Sequence, residues 1–285
     1  MGEIRSTAIT TREGVFTADV AGPDDGPLVL LLHGFPQTRH TWRDVLPELA
    51  AHGLRAVAVD QRGYSPGVRP TDIDAYATDR LVADVLDLAD VLGADRFHLV
   101  GHDWGGQIAW LTAAHHPARV ASLTVLSRPH PAAFARSFGL DPAQSDRSRH
   151  HRSMTPDAAA AWTADGAARL RAILAGAGVG PADVEAYLSV LGDPAALDAA
   201  MNWYRAAAQA GAGLRAADTP AVTVPTCYVW GTGDQTVGRV AAELTAEHVT
   251  GPYRFVEIEG AGHFLTDDAG AARTREAIVD HVTTH

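Results

Sequence analysis

The sequence predicts an α/β fold in which a mostly parallel sheet, covered by helices on both faces, is interrupted by an all-helical insertion. Strand-like apolar runs alternate with amphipathic helical segments in the first half of the chain, and they return near its end. Such alternation is typical of βαβ units, whose strands run parallel. Between these halves lies a long Ala-rich and Arg-rich stretch with no convincing strand, which indicates a helical block inserted into the core.

The strands follow from the apolar runs, taken in chain order. Rough alternation on either side of the Arg12-Glu13-Gly14 turn predicts an N-terminal hairpin from residues 8–9 and 15–20. Apolar runs are typical of strands buried in a parallel sheet, and they predict strands at residues 28–32, 55–60, 97–100 and 122–126. Further strands are predicted at residues 226–230, preceded by 222–224, and at residues 253–258.

The helices follow from periodicity and from their start signals. Residues 78–92 place Leu81, Val85 and Leu88 on one face, and residues 269–282 predict a closing helix. In the insertion, helix starts are indicated at Thr155-Pro156-Asp157, Pro181-Ala182-Asp183 and Asp193-Pro194. We expect residues 1–130 to form the first part of the core, 131–218 a helical cap, and 219–285 the second part of the core.

Composition excludes several classes of protein. The 285 residues are 46% hydrophobic, which supplies a full core and argues against disorder. A formal net charge of −11 disfavours binding to nucleic acid or to an anionic membrane surface. A single cysteine, Cys227, excludes an internal disulfide. No apolar run lies directly behind the opening residues MGEIRSTAIT, so we expect no secretory signal and a cytoplasmic protein. We also expect a monomer or homodimer that acts on a small molecule.

The most informative motif is Gly101-His102-Asp103-Trp104-Gly105-Gly106, which lies between a predicted strand and a predicted helix. This is the context of a nucleophile elbow, a tight turn that exposes a reactive side chain and usually has the form Gly-x-Ser-x-Gly. The exposed residue here is an aspartate. The alternative, an aspartate that only caps the following helix, is disfavoured by the glycines on both sides. We therefore predict that Asp103 is a nucleophile.

Two later loops supply partners for this nucleophile. His263 lies in Gly260-Ala261-Gly262-His263-Phe264, after the last predicted strand, where a histidine is well placed to act as general base. Asp234 ends Trp230-Gly231-Thr232-Gly233-Asp234 and is the candidate to orient that imidazole; an ordinary turn aspartate is the alternative. The three side chains follow three different strands, so a sheet would bring them to one edge.

A fourth loop, His33-Gly34-Phe35-Pro36, follows the strand at residues 28–32. The backbone N–H groups of Phe35 and Trp104 are predicted to form an oxyanion hole, in which hydrogen-bond donors stabilise a developing negative charge. Pro36 is a candidate for a cis peptide bond, which would redirect the loop.

An aspartate nucleophile narrows the reaction. Attack by a carboxylate on an ester carbonyl gives a mixed anhydride and gains little, whereas attack on an sp³ carbon that bears a leaving group gives a stable alkyl ester. Water deprotonated by His263 would then hydrolyse that ester at its carbonyl. The residue types therefore favour epoxides or alkyl halides as substrates, and they disfavour a serine-type esterase or lipase.

With these motifs the chain resembles the epoxide hydrolase/haloalkane dehalogenase branch of the α/β-hydrolases, through HGFP at 33–36, DQRGYS at 60–65, GHDWGG at 101–106, WGTGD at 230–234 and GAGHF at 260–264. Along the chain, Asp103, Asp234 and His263 also follow the order nucleophile, acid, base of the α/β-hydrolase fold. The resemblance covers the core well and the cap in part. There, Asn202-Trp203-Tyr204-Arg205 is similar to the segment whose tyrosine donates to the epoxide oxygen.

The resemblance implies a cofactor-independent hydrolase that opens an epoxide to a vicinal diol through a covalent aspartyl ester, with Tyr204 as the acid. Epoxide hydrolases normally pair two cap tyrosines, but residues 145–156 contain none. His150 or Arg149 lies near the expected position, and Tyr187 is a substitute from another helix. We expect His150, Tyr187, Trp104 and Phe35 to contact the substrate, which we expect to be an apolar epoxide.

Two alternatives share the same residues. A haloalkane dehalogenase would use the same triad, but one dehalogenase group has asparagine where this chain has Phe35. A non-catalytic α/β-hydrolase homologue would bind a small molecule without converting it, although an intact Asp/Asp/His set argues against this. No metal site is expected, because the adjacent pairs His115-His116 and His150-His151 point to different faces of a helix. Both pairs are expected to be solvated surface residues.

Overall fold

The computed structural model describes residues 3–209 and 213–285, and its central element is an eight-stranded sheet. The strands in chain order are β1 (Arg5–Thr10), β2 (Val15–Ala21), β3 (Leu28–Leu32), β4 (Arg55–Val59), β5 (Phe97–His102), β6 (Val120–Leu126), β7 (Thr226–Gly231) and β8 (Tyr253–Ile258). Their order across the sheet is β1-β2-β4-β3-β5-β6-β7-β8.

Neighbouring strands are parallel from β4 across the sheet to β8, and both pairings of β2, with β1 and with β4, are antiparallel. The predicted hairpin and the other predicted strands are present, with β8 as a partly exposed edge strand, so the predicted fold class is confirmed. One difference concerns residues 222–224. Val222 forms only an isolated bridge to Val249 and belongs to no named strand, because Pro225 separates it from β7.

Helices cover both faces of the sheet. On one face α1 (Leu46–Ala51) packs against β4 and α10 (Ala271–Thr284) against β7, and both share a hydrophobic cluster with Val29 and Leu31 of β3. On the other face α2 (Thr78–Val91) and α3 (Trp104–His115) pack against Leu30 and Leu32. Alternate residues of β3 thus belong to two hydrophobic clusters, which explains why this strand has a continuous apolar run.

Between β6 and β7, every regular element in the described residues is helical: α4 (Pro131–Ser137), α5 (Pro142–Arg147), α6 (Ala158–Gly176), α7 (Pro181–Leu191) and α8 (Pro194–Ala208), with short 3₁₀ turns at Arg149–Ser153 and Ala216–Asp218. The predicted helix starts are present; for example, the Asp193 side chain accepts a hydrogen bond from the Ala195 N–H, 3.0 Å away. The division into residues 1–130, 131–218 and 219–285 stays a prediction. The remaining helix, α9 (Arg239–Leu244), follows β7.

In residues 3–209 and 213–285, no helix is both long and apolar enough to cross a bilayer.

Candidate active site

The turn between β5 and α3 places Asp103 at the carboxyl end of the sheet. Asp103 has φ 49° and ψ −114°, a backbone conformation that a non-glycine residue adopts at an energetic cost. A side chain at Gly101 or Gly105 would overlap neighbouring backbone atoms, so the turn requires both glycines. The Asp103 carboxylate makes no capping hydrogen bond to α3. The alternative of a simple helix cap is therefore not supported.

The three predicted polar side chains meet at this edge of the sheet. His263 Nδ1 lies 2.9 Å from Asp234 Oδ2, and His263 Nε2 lies 3.6 Å from Asp103 Oδ2. The other Asp234 oxygen accepts hydrogen bonds from the backbone N–H groups of Thr236 and Val237, at 2.7 and 3.0 Å. Because its second oxygen is occupied in this way, Asp234 is oriented toward the imidazole.

The loop after β3 contacts the same carboxylate. The Phe35 N–H donates a hydrogen bond to Asp103 Oδ1 at 3.1 Å, and the peptide bond between Phe35 and Pro36 is cis. A Cβ on Gly34 would lie 2.5 Å from the Asp103 Cβ, so only glycine allows this approach. Phe35 is the one backbone donor to this carboxylate among the described residues. The role predicted for the Trp104 N–H stays a prediction.

Burial and charge set the protonation states of the pair. Burial would raise the pKa of Asp103, but the hydrogen bond and charge of His263 hold it well below its usual range. Burial would lower the pKa of His263, but the charges of Asp234 and Asp103 and their hydrogen bonds raise it to about 10. The resting site therefore holds an ionised carboxylate beside an imidazolium.

Two residues that the sequence analysis did not identify hold the His263 backbone. His102 Nε2 lies 2.8 Å from the His263 carbonyl oxygen, and Ser127 Oγ donates to the same oxygen at 2.8 Å. Burial lowers the pKa of His102 to about 4, so its imidazole is neutral and the proton on Nε2 donates. The sequence could have indicated a role for His102 through its position directly before Asp103. Nothing in the sequence marks Ser127.

The carboxylate and the imidazole face a cavity of about 290 Å³. The lining is largely apolar or aromatic, with few polar groups, which is typical of a small-molecule site. It consists of Phe35, Pro36, Asp103, His150, Ser153, Met154, Trp162, Arg169, Ile173, Tyr204, Thr236, His263 and Phe264. Of the four residues predicted to contact substrate, Phe35 and His150 line this cavity.

Tyr204, from α8, lies opposite the carboxylate. Its ring is in edge contact with Trp104 and Phe35, with centroid distances of 5.0 and 5.4 Å. Burial and the charge of Asp103 raise the pKa of Tyr204 well above 10, and the Trp104 side chain opposes this rise. The phenol is therefore protonated and able to donate. Trp104 does not line the cavity, but its ring packs against Tyr204, which does.

The pair His150-His151 corrects one expectation. Both side chains are partly buried, and their rings lie 6.3 and 5.1 Å from the ring of Tyr204. Burial lowers the pKa of both, that of His151 to about 3, so both imidazoles are neutral. The expectation of solvated surface residues was wrong here, because the 3₁₀ turn at Arg149–Ser153 folds over α8. His150 lines the cavity, whereas Arg149 is exposed and does not.

Tyr187 requires a second correction, because the structure places it outside the cavity lining. It is fully buried, and its hydroxyl donates to Asp267 Oδ2 at 2.7 Å. Gln37 and Arg43 donate to the same carboxylate. The face of α7 that carries Tyr187 packs on the loops of the core, so this phenol joins the insertion to the core and does not replace a cap acid.

Comparisons with known proteins agree with this geometry. The family model for the alpha/beta hydrolase fold matches residues 27–269. Epoxide hydrolase 4 of Mus musculus is 33% identical over 259 residues, covering 87% of this chain and 71% of that protein. Epoxide hydrolase A of Mycobacterium tuberculosis is 32% identical over 288 residues, covering 87% of this chain and 88% of that protein.

Solved structures give the same result. A structure from work on novel epoxide hydrolases in metagenomes from hot environments superimposes with a TM-score of 0.81 at 27% identity, covering 99% of this chain and 100% of that one. The epoxide hydrolase of Bacillus megaterium superimposes with a TM-score of 0.87 at 23% identity, covering 98% of this chain and 100% of that one, which shows the shared fold.

Proposed function

The chain belongs to the α/β-hydrolase fold family and is a hydrolase, and from that premise we propose that it opens an epoxide to a vicinal diol through a covalent ester on Asp103. The single observation that carries the proposal is the position of an ionised carboxylate on the elbow, 3.6 Å from an imidazole and facing a largely apolar cavity. The names of the relatives, which are epoxide hydrolases, support the substrate class.

In the first step, one oxygen of Asp103 attacks an epoxide carbon. The new bond is an ester C–O bond, and the bond that breaks joins this carbon to the epoxide oxygen, which takes the electron pair. Tyr204 donates its proton to that oxygen, so an alcohol forms instead of a free alkoxide. General acid catalysis of this kind typically contributes about 10²–10⁴-fold.

The structure favours Tyr204 over His150 as the acid. His150 Nδ1 lies 3.1 Å from the Arg147 carbonyl oxygen, so the neutral ring carries its proton on Nδ1 and donates it there. No second proton remains for a substrate. We therefore assign His150 to the cavity wall and Tyr204 to the epoxide oxygen.

In the second step, water attacks the carbonyl carbon of the Asp103 ester, and His263 Nε2 accepts the proton. Ester formation removes the charge on Asp103, one of the two carboxylate charges that raise the pKa of His263. The imidazolium then releases its proton to solvent while the phenolate left at Tyr204 takes one up, so the phenol is restored and the neutral imidazole can act as a base. The Phe35 N–H is placed to donate to the oxyanion. When the intermediate collapses, the C–O bond to the diol oxygen breaks and this oxygen leaves with a proton from His263. The Asp103 carboxyl, one oxygen of which now comes from water, passes its remaining proton to His263, which restores the carboxylate and the imidazolium.

Single-turnover hydrolysis of styrene oxide in ¹⁸O-water tests this mechanism. We expect an unlabelled diol in the first turnover and heavy oxygen in the peptide that contains Asp103. The variant Asp103→Asn should form neither ester nor diol, whereas Asp24→Asn, an exposed change far from the cavity, should behave as the wild type. Labelled diol in the first turnover would show direct attack by water. Halide release from a haloalkane without any diol would indicate a dehalogenase.

A further inference from the structure

A buried arginine lies beside the proposed site and takes no part in the mechanism described so far. Arg128 follows β6 and is only 8% exposed. Its Nε donates to Gln107 Oε1 at 3.0 Å, and its guanidinium lies 4.4 Å from the ring centre of Phe134 and 5.8 Å from that of Trp104. These neighbours are neutral: the aromatic faces attract the guanidinium by cation–π interaction but supply no negative charge.

In the described part of the chain, no carboxylate lies within ion-pair distance of Arg128. A second buried arginine shows the usual arrangement. Arg62 is paired with Asp84 at 2.6 Å and with Glu13 at 3.0 Å. Burying a charge without a partner is unfavourable, so an unpaired guanidinium in the interior of an acidic protein calls for a functional explanation.

Arg128 lies beside the nucleophile elbow, because its guanidinium faces the ring of Trp104, the residue after Asp103, and its Nε is bonded to Gln107 in the first turn of α3. Burial lowers the pKa of Arg128, and the groups that oppose this are, in order of strength, Asp103, Tyr204 and Tyr228. Conversely, Arg128 contributes to the low pKa of Asp103. A guanidinium stays charged at all ordinary pH values, so Asp103 experiences a fixed positive charge.

We propose that Arg128 is a positioning residue whose charge stabilises the negative charge that returns to the Asp103 oxygens during hydrolysis of the ester. The inference rests on the proposed function. It also fits the hydrogen bonds at Asp103, because Phe35 is the one backbone donor to this carboxylate among the described residues. A nearby fixed charge supplements that donor without touching the substrate.

The two chemical steps differ in how much they depend on this charge. During ester formation the negative charge moves from Asp103 to the epoxide oxygen beside Tyr204, and Arg128 acts on both positions. During hydrolysis the ester is neutral, and a new oxyanion appears at Asp103 itself. Removing the charge should therefore slow hydrolysis more than ester formation, and the ester should accumulate.

Acid-quenched mass spectrometry of the whole protein during turnover of styrene oxide measures both steps. For Arg128→Met we expect hydrolysis to slow about tenfold, with ester formation within about twofold of the wild type. Arg128→Lys, which keeps the charge, should recover most of the hydrolysis rate. Arg128→Gln provides a second neutral variant if the methionine variant does not fold. Arg136→Met, an exposed change on α4, should change neither step.

Thermal melting separates this role from a structural one. Removing an unpaired buried charge should leave the melting temperature within about 2 °C of the wild-type value or raise it. By contrast, Arg62→Met should lower it, because Asp84 loses its partner. Equal slowing of both steps together with a lower melting temperature would overturn the proposal. So would an unchanged fraction of ester in a folded Arg128→Met protein. If the wild type forms no ester at all, the proposed function fails instead.

Discussion

The sheet and the helical insertion contribute to the site in different ways. Asp103, Asp234 and His263 each follow the carboxyl end of a parallel strand, so the register of β5, β7 and β8 brings them together. Tyr204 comes from a helix of the insertion and is positioned by contacts between rings. The hydrophobic pattern that sets the register of a strand is local and repeats along the chain, whereas ring packing depends on the whole set of neighbours.

The two regions also supply different groups to the proposed reaction. The core would supply the nucleophile for ester formation, and the base and the donor to the oxyanion for ester hydrolysis. The insertion would supply the acid, which serves ester formation alone. Variants of the base system in the core and of the acid in the insertion should therefore affect different steps, and separate measurement of the steps tests this division.

The largest expected effect in this comparison comes from Asp234→Asn in the core. The amide cannot balance an imidazolium, and it disturbs the hydrogen bond to His263 Nδ1, so the base loses both its orientation and its raised pKa. We expect ester hydrolysis to slow by roughly 10³-fold or more, with ester accumulating. The decay of the ester after a single turnover measures this. Retention of a normal decay rate would refute the role of Asp234.

A smaller effect, in the other step, is expected from Tyr204→Phe in the insertion. Loss of the phenol should slow ester formation by roughly 10²-fold, while the decay of an ester already formed stays normal. Tyr187→Phe is a matched control. It removes the hydrogen bond to Asp267 and should cost about 1 kcal/mol of stability without slowing ester formation. If Tyr187→Phe slows ester formation as much as Tyr204→Phe does, the proposed division between these two phenols is wrong.

The contrast between the regions also explains what the sequence predicts. Continuous apolar runs and Gly-rich turns indicate the parallel strands and the loops that carry Asp103, Asp234 and His263, because both signals are local. Tyr187 was misplaced, since its partner Asp267 lies 80 residues away. The burial of His151 depends on its contact with Tyr204, 53 residues further along the chain, so local composition could not show it.

Residues that support the site without reacting were the hardest to predict. His102 and Ser127 act on a backbone carbonyl, and no side-chain motif marks such a contact. Arg128 follows the end of a strand, and no motif in the sequence distinguishes it from other residues at strand ends. Its burial depends on Gln107, Trp104 and Phe134. These contacts arise only after α3, β6 and α4 are packed together, so periodicity and spacing do not indicate them.

The smallest expected effect is a displaced pH profile that again separates the two steps. In the free protein the charges of Asp234 and Asp103 outweigh burial and raise the pKa of His263 to about 10. The ester has no charge on Asp103, so the pKa of His263 should fall below that value. Because the deprotonated imidazole is the base, the hydrolysis rate should rise with pH to a plateau. The midpoint of this rise should lie below about pH 10.

Ester formation needs an ionised Asp103 and a protonated Tyr204. The pKa of Asp103 is held well below its usual range and that of Tyr204 well above 10, so this step should be independent of pH between about pH 5 and pH 10. Single-turnover rates between pH 5 and pH 10 measure both profiles. A hydrolysis midpoint at or above 10 would mean that ester formation leaves the charge around His263 unchanged. The charge that raises the pKa of His263 would then not be that of Asp103, and the proposed order, with ester formation on Asp103 before base catalysis by His263, would be wrong.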